Sequence, residues 1–315
     1  MRVFVTGGSG LTGPAIVSEL LAAGHTVTGL ARSDTSAARL QSLGASVQRG
    51  SLDDLDSLRT GAAGADGVIH MAFGGDFADP AGLAQRDSSA ITALGEPLVG
   101  TDKPLVMTSG TFAMTPGRVS TEADAPDPAS IAGFRIPGEQ ACLAFAPQGV
   151  RSSVVRLAPT VHGPGDYGFI PTLITTARRT GMSAYIDDGT NRWPAVHRLD
   201  AAVLFRLALE QAPSGSALHG AAETGITLRS IADKIGELLN VPARSLSPQQ
   251  AAETLRQPLH GHRLQHRRPR LQRPHTCPPR LDADPPDPAR RPRARRLHQQ
   301  HRTGQELVTA THPHR

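Results

Sequence analysis

The spacing Gly7-x-x-Gly10-x-x-Gly13, set between an apolar run at 2–6 and an amphipathic stretch from about Thr12 to Ala23, constrains this chain more than any other feature. A strand that turns directly into a helix leaves the first N–H groups of the helix without partners, and an anion can take them. Gly7 and Gly10 are read as positions of positive φ and close backbone approach, and Gly13 as the place where the helix lies tight on the strand. Ser9, Leu11 and Thr12 complete the turn, and Gly24 closes the helix. Such a trio alone also describes an ordinary loop. The strand before it and the helix after it are the context a pyrophosphate cradle needs.

Strand and helix signals alternate beyond this point, which predicts an α/β fold with a doubly wound parallel sheet of the Rossmann type. Short apolar runs at 2–6, 26–30, 45–49, 67–72, 104–109 and 150–157 read as strands buried on both faces. Helices are expected at 12–23, 36–43, 54–60, 81–100, 138–147, 199–211 and 228–239. Gly24, Gly44 and Gly149 stand where helices should end. After Leu157 the pattern changes to a loop at Gly163-Pro164-Gly165-Asp166, a helix at 169–180 and a strand at 183–186. Residues 1–160 therefore read as a nucleotide-binding domain to which 191–211 return, and 161–255 as a small C-terminal substrate lobe.

Charge separates the last part of the chain from the rest. The net +5 conceals an acidic body, −5 over residues 1–255, and a strongly basic end, +10 over 256–315. That end holds ten prolines and eight histidines but no lysine, isoleucine or aromatic residue, has no sustained period, and reads as a disordered Arg/Pro/His-rich tail. A nucleic-acid arm would mix Lys with Arg and add aromatics for stacking, so no nucleic-acid partner is expected. A shift of reading frame is the other account of such a composition. No apolar run approaches the ~18 residues of a membrane span, and a cytoplasmic protein with no membrane partner is expected. Cys142 and Cys277 lack ligand spacing, so no metal site is expected.

With Thr6-Gly7-x-x-Gly10-x-x-Gly13, Val68-Ile69-His70-Met71-Ala72, Leu105-Val106-Met107-Thr108-Ser109 and Arg156-Leu157-Ala158-Pro159-Thr160-Val161-His162-Gly163-Pro164-Gly165, residues 1–255 resemble the extended short-chain dehydrogenase/reductase superfamily, and within it the NAD-dependent epimerase/dehydratase group. The resemblance implies an NAD(P)-dependent oxidoreductase that moves hydride to or from a small carbonyl or alcohol. It places the pyrophosphate at Gly7, Ser9, Gly10, Leu11, Thr12 and Gly13, the adenosine near Arg32, Ser33 and Leu52, and the nicotinamide ribose near Met71, Ala72, Phe73, Thr108, Pro159 and Val161. A one-base shift across Arg280–Asp287 permits Gly-Trp-Thr-Pro-Thr-His-Pro, which is similar to the closing segment of the same family. Sequencing the coding DNA around Leu255 tests that frame.

Coenzyme choice follows from charge at the end of the second strand. A carboxylate there accepts hydrogen bonds from a ribose 2′-OH, whereas an Arg accommodates a 2′-phosphate. The residues are Ala31-Arg32-Ser33, so NADP(H) is expected over NAD(H), with Asp34 as ribose ligand the competing reading.

The catalytic pattern departs from the family. Its general acid is a Tyr four residues before a Lys, and the only tyrosines here, Tyr167 and Tyr185, have no such partner in Lys103 or Lys234. Arg135 and Glu139 occupy the corresponding positions, either as an oxyanion-stabilising cation with its neighbour or as a plain i, i+4 ion pair. Ser109 and Thr111 flank Gly110, which falls at the family's hydroxyl position, and Tyr167 is a candidate replacement acid. Asp53 and Asp54 read as helix-capping carboxylates. His162 and Trp193 are candidate substrate contacts, with a core plug the other reading of Trp193. Loss of the Tyr/Lys pair leaves a second function open, a non-catalytic NADP(H)-binding sensor. The expected partner is a small-molecule substrate, and the expected assembly a monomer or homodimer.

Overall fold

The computed structural model describes residues 1–256. The disordered, frame-shifted or nucleic-acid-binding readings of 256–315 concern a segment that, past Arg256, lies outside the described residues. The first half of the chain alternates β1 (Arg2–Thr6), α1 (Gly13–Ala22), β2 (Thr26–Ala31), α2 (Asp34–Ser42), β3 (Ser46–Arg49), α3 (Leu55–Ala63), β4 (Gly67–His70), α4 (Pro80–Gly95), β5 (Pro104–Gly110), α5 (Ile136–Leu143) and β6 (Arg151–Leu157). There follow β7 (Thr160–His162), α6 (Phe169–Thr180), β8 (Ser183–Ile186), β9 (Arg192–His197), α7 (Arg198–Gln211), β10 (Ser216–Gly220), β11 (Glu223–Thr227), α8 (Leu228–Leu239), β12 (Ala243–Leu246) and α9 (Pro248–Arg256).

Seven strands form one parallel sheet in the order β10-β6-β5-β4-β1-β2-β3. Side chains alternate across it. Val3 and Val5 face a core with Ile16 and Val17 of α1, Leu40 of α2 and Phe205 and Leu209 of α7. Phe4, Val68, Leu105 and Met107 face the other core, with Leu58 of α3, Ile91 and Leu94 of α4 and Cys142 of α5. Both layers are apolar, so the inner strands β1, β4 and β5 are legible as hydrophobic runs. The strand order reverses between β1 and β4, and a crevice opens at such a point beyond the carboxyl ends of the strands.

Two smaller sheets cover the second half of the chain. β7, β9 and β11 form one, and β8 with β12 the other. Of these only β8 is expected from the sequence. The strand β10 is also missed, because Ser216-Ala-Leu-His-Gly220 is an edge strand of mixed polarity rather than an apolar run. The expected helix 81–100 ends at Gly95 and gives way to a 3₁₀ turn at Glu96–Leu98. Gly24, Gly44 and Gly149 do take the left-handed conformation at helix ends, with φ of 82°, 91° and 73°. Among the described residues no helix is long and apolar enough to cross a membrane.

Candidate active site

A cleft of about 610 Å³ opens where β1 and β4 part. Its floor is the turn from β1 into α1. Gly7 takes φ 75°, and a Cβ there would stand 2.6 Å from the amide nitrogen of Ala72. At Gly13 a Cβ would overlap the carbonyl oxygen of Gly7 and the backbone of Gly8, so α1 can lie this close to β1 only without a side chain. Gly10 departs from expectation: its φ is not positive, and its amide donates to the Gly7 carbonyl at 2.9 Å. That hydrogen bond closes the turn.

The helix α1 begins unlike its neighbours. Ser33, Asp54 and Asp79 cap α2, α3 and α4 with side-chain oxygens. Thr12 makes no such bond, and the first turn of α1 holds no acidic residue. The N–H groups and the positive end of its dipole are left for an anion, so these residues fit a pyrophosphate.

Ser9, Leu11, Thr12, Arg32, Ser33, Leu52, Met71, Ala72, Phe73 and Thr108 line the cleft with the three glycines. Pro159 and Val161 do not, and Tyr167 does. Ser36, Ser51 and Arg86 line it as well and were missed from sequence. Arg32 points here without a hydrogen bond to the described residues, whereas Asp34 ion-pairs with Arg49 at the surface. The cleft thus receives a cation and no carboxylate from the end of β2.

Asp54 caps α3 through the Ser57 amide at 3.1 Å, but Asp53 does not cap. Arg86 grips Asp53 with two hydrogen bonds of 2.6 and 2.5 Å and donates to the Gly74 carbonyl at 2.7 Å. The guanidinium holds the Asp53 carboxyl below its ordinary range. Sequence spacing could not show this clasp, since its partners lie on separate elements.

Beside the cleft, a polar row runs through the sheet edge into α4 and α5. The Thr6 hydroxyl accepts the Ala72 N–H at 3.2 Å and donates to His70 Nδ1 at 2.8 Å, and His70 Nε2 donates to Asp87 at 3.3 Å. This tautomer is assigned from the partners, because a carboxylate only accepts. Asp87 Oδ2 then meets Arg135 Nη1 at 3.2 Å. Arg135 also donates to the Thr108 carbonyl and lies 3.6 Å from the centre of the Phe73 ring. Burial lowers the Arg135 pKa from its usual range.

The i, i+4 pairing of Arg135 with Glu139 does not form. Glu139 turns to Arg156 of β6, which donates to it at 2.8, 3.0 and 3.2 Å. A histidine inside the apolar run at Val68–Met71 was the one sequence signal of this row, because a buried imidazole requires partners.

Thr108, Ser109 and Thr111 each carry a buried hydroxyl oxygen without a hydrogen-bond partner. Ser109 is buried on the α5 side and does not line the cleft. His162 donates from Nε2 to Glu223 at 2.5 Å in the β7-β9-β11 sheet and also lies off the cleft wall. Trp193 is stacked on Phe169 at 4.4 Å, edge-on to Phe112 at 4.9 Å, and donates from Nε1 to Thr160 at 2.7 Å.

An uncharacterized protein of Schizosaccharomyces pombe is 48% identical over 255 residues, covering 80% of this chain and 85% of its own. The 4-hydroxy-2-methyl-3-oxo-4-farnesyl-3,4-dihydroquinoline-1-oxide ketoreductase of Stigmatella aurantiaca is 30% identical, covering 77% and 75%. A dTDP-glucose 4,6-dehydratase of Streptomyces venezuelae, solved with NAD bound, shares the fold at TM-score 0.66 and 20% identity over 78% of this chain and 84% of that one. The NAD dependent epimerase/dehydratase profile matches residues 3–219, and the chain belongs to that family.

Proposed function

We propose that the protein is an NADP(H)-dependent reductase of a carbonyl substrate. The observation that carries the coenzyme reading is Arg32 on the cleft wall with Asp34 turned away to Arg49. The uncapped start of α1 would hold the pyrophosphate, and Met71, Ala72 and Phe73 would flank the nicotinamide end. When bound, the nicotinamide supplies the hydride. The relative named as a ketoreductase supports reduction of a carbonyl, and the related fold solved with NAD supports a dinucleotide.

The chain's own residues divide the remaining work. Tyr167, which lines the cleft and is largely exposed, is our candidate for the group that delivers a proton to the substrate oxygen. Thr108, which lines the cleft and carries an unpartnered hydroxyl, is the candidate to polarise the carbonyl, whereas Ser109 and Thr111 carry unpartnered hydroxyls that do not line it. Arg135 reaches the cleft through Phe73 and Thr108, both of which it holds, and acts as a positioning residue.

A second reading, a cofactor-binding sensor without turnover, is favoured by one observation. The positions of the family's Tyr and Lys hold Arg135 and Glu139, and both are committed to buried ion pairs. Calorimetry with NADP⁺ and NAD⁺, followed by a carbonyl panel with NADPH, separates the two. Saturable NADP⁺ binding with NADPH oxidation supports the reductase, binding without oxidation across the panel supports the sensor, and no binding of either nucleotide removes both.

A further inference from the structure

Arg86 of α4 lines the cleft and ties together two loops that also line it. Its Nε and Nη2 donate to the two oxygens of Asp53 at 2.6 and 2.5 Å, in the segment between β3 and α3. Its Nη1 donates to the Gly74 carbonyl at 2.7 Å, in the segment after β4. Gly50, Ser51 and Leu52 beside the first contact and Phe73 and Gly75 beside the second belong to the cleft wall. Only a planar guanidinium fork can hold a carboxylate with two donors and a carbonyl with a third. The side chains of Arg86 and Asp53 are 26% and 65% exposed, so the pair stands outside the core and adds little to stability.

Arg32 lines the same cleft without a hydrogen bond among the described residues. Its charge nevertheless reaches Asp53 and helps Arg86 hold that carboxyl below its ordinary range. The other charged groups of these loops are engaged elsewhere. Asp34 pairs with Arg49, Asp54 caps α3 through the Ser57 amide, and Arg39 donates to the Ser9 carbonyl. Asp53 is therefore gripped by one cleft arginine and felt by the other, and in that grip it is not part of the cleft wall.

A carboxylate released beside Arg32 would pair with it and repel a phosphate brought to the same place. A nucleotide without a 2′-phosphate would lose nothing by that exchange.

We propose that Arg86 is a positioning residue that sets coenzyme preference: it holds Asp53 away from Arg32 and so leaves Arg32 open to a 2′-phosphate. This rests on the NADP(H) reading above and names the pair that controls its strength. A plain tie between loops would act alike on both nucleotides, whereas competition for Arg32 acts only where the extra phosphate is present.

The test uses the full chain and calorimetry with NADP⁺, NAD⁺, 2′,5′-ADP and 5′-AMP at low and high ionic strength, with the unfolding midpoint read alongside. Arg86→Met should weaken NADP⁺ and 2′,5′-ADP about five- to tenfold and leave NAD⁺ and 5′-AMP within about twofold. Asp53→Asn should tighten NADP⁺ about threefold, because it removes the competing charge and frees a second cleft cation, and the gain should vanish at high ionic strength. Asp53→Asn in the Arg86→Met background should return NADP⁺ binding to within about twofold of the wild type. Equal loss of all four nucleotides in Arg86→Met, or any loss of NADP⁺ binding in Asp53→Asn, makes the contact a loop tie and overturns the proposal. If Arg86→Met does not fold, Asp53→Asn decides alone, since a loop tie predicts loss where charge competition predicts gain. Wild-type protein that binds NAD⁺ as tightly as NADP⁺ removes the coenzyme reading beneath this one, and a preference for NADP⁺ that survives Arg86→Met removes only the role of Arg86.

Discussion

Arg135 and Asp87 form a buried ion pair, Nη1 to Oδ2 at 3.2 Å, with side chains only 10% and 3% exposed. The pair joins the start of α5 to the middle of α4, and its two ends continue in different directions. Asp87 reaches Thr6 through His70, and Arg135 reaches Phe73 and Thr108. The strand that leads into the glycine turn and two residues of the cleft wall, Phe73 and Thr108, are therefore set by one connected row.

Asp87→Asn leaves the guanidinium of Arg135 buried without a counter-charge. A loss of about 3–5 kcal/mol in unfolding free energy is expected, read by denaturant titration. A double change, Asp87→Asn with Arg135→Met, should recover part of it. Destabilisation by the double variant equal to the sum of the Asp87→Asn and Arg135→Met singles would show that the pair is not coupled.

Arg32→Ala should weaken NADP⁺ binding about tenfold or more and leave NAD⁺ within about twofold, because only the former presents a 2′-phosphate to a charge-assisted donor. Calorimetry with both nucleotides measures it. Parallel loss for the two would move Arg32 away from the 2′ position.

Gly13→Ala places a methyl group against the Gly7 carbonyl and must push α1 off β1. Loss of saturable dinucleotide binding is expected, with a lowered unfolding midpoint. Gly24→Ala, where no neighbour lies within 4 Å but φ is 82°, should cost stability alone.

Cys142 is fully buried, and burial pushes its thiol up to about 12, with Glu139 and Asp87 adding to the effect. In a Cys277→Ser background the native protein should not react with a disulfide reagent at pH 8, and one thiol should appear on unfolding. Stoichiometric reaction of the folded protein would contradict the enclosure of this side chain between α5 and the sheet.

Burial lowers the pKa of His219 from 6.5, chiefly against the opposing pull of Glu122. The unfolded chain then takes a proton more readily than the folded one, so this residue's contribution is intact above pH 6.5 and lost as pH falls through the folded value. The unfolding midpoint of the wild type should fall between pH 7.5 and 5 by more than that of His219→Gln. Identical pH profiles would remove His219 as a source of the dependence.

Strands β1, β2, β4 and β5 were legible because both faces of the sheet are covered there, which turns each into a largely apolar run. The cradle was legible because its three glycines are local and their context is a single strand and helix. What remained hidden is non-local. Asp87 and Arg135 are 48 positions apart, Asp53 and Arg86 are 33, and helical spacing instead suggested Arg135 with Glu139. Gly10 was misassigned for the opposite reason. Its role is a backbone hydrogen bond to Gly7, and a Cβ there would meet the Gly7 carbonyl oxygen at 3.2 Å, so glycine is favoured by the close approach rather than by φ. In β9 and β10, polar residues and Pro194 broke the patterns by which strands are recognised.

The sheet does not close in chain order. β6 gains its outer neighbour only when β10 arrives, after β7, α6, β8, β9 and α7 have been laid down. A chain emerging from the ribosome therefore carries a naked hydrogen-bonding border along Arg151–Leu157 until about residue 220 is synthesised. That interval is the period of greatest exposure to intermolecular strand pairing, and chaperone dependence should concentrate there.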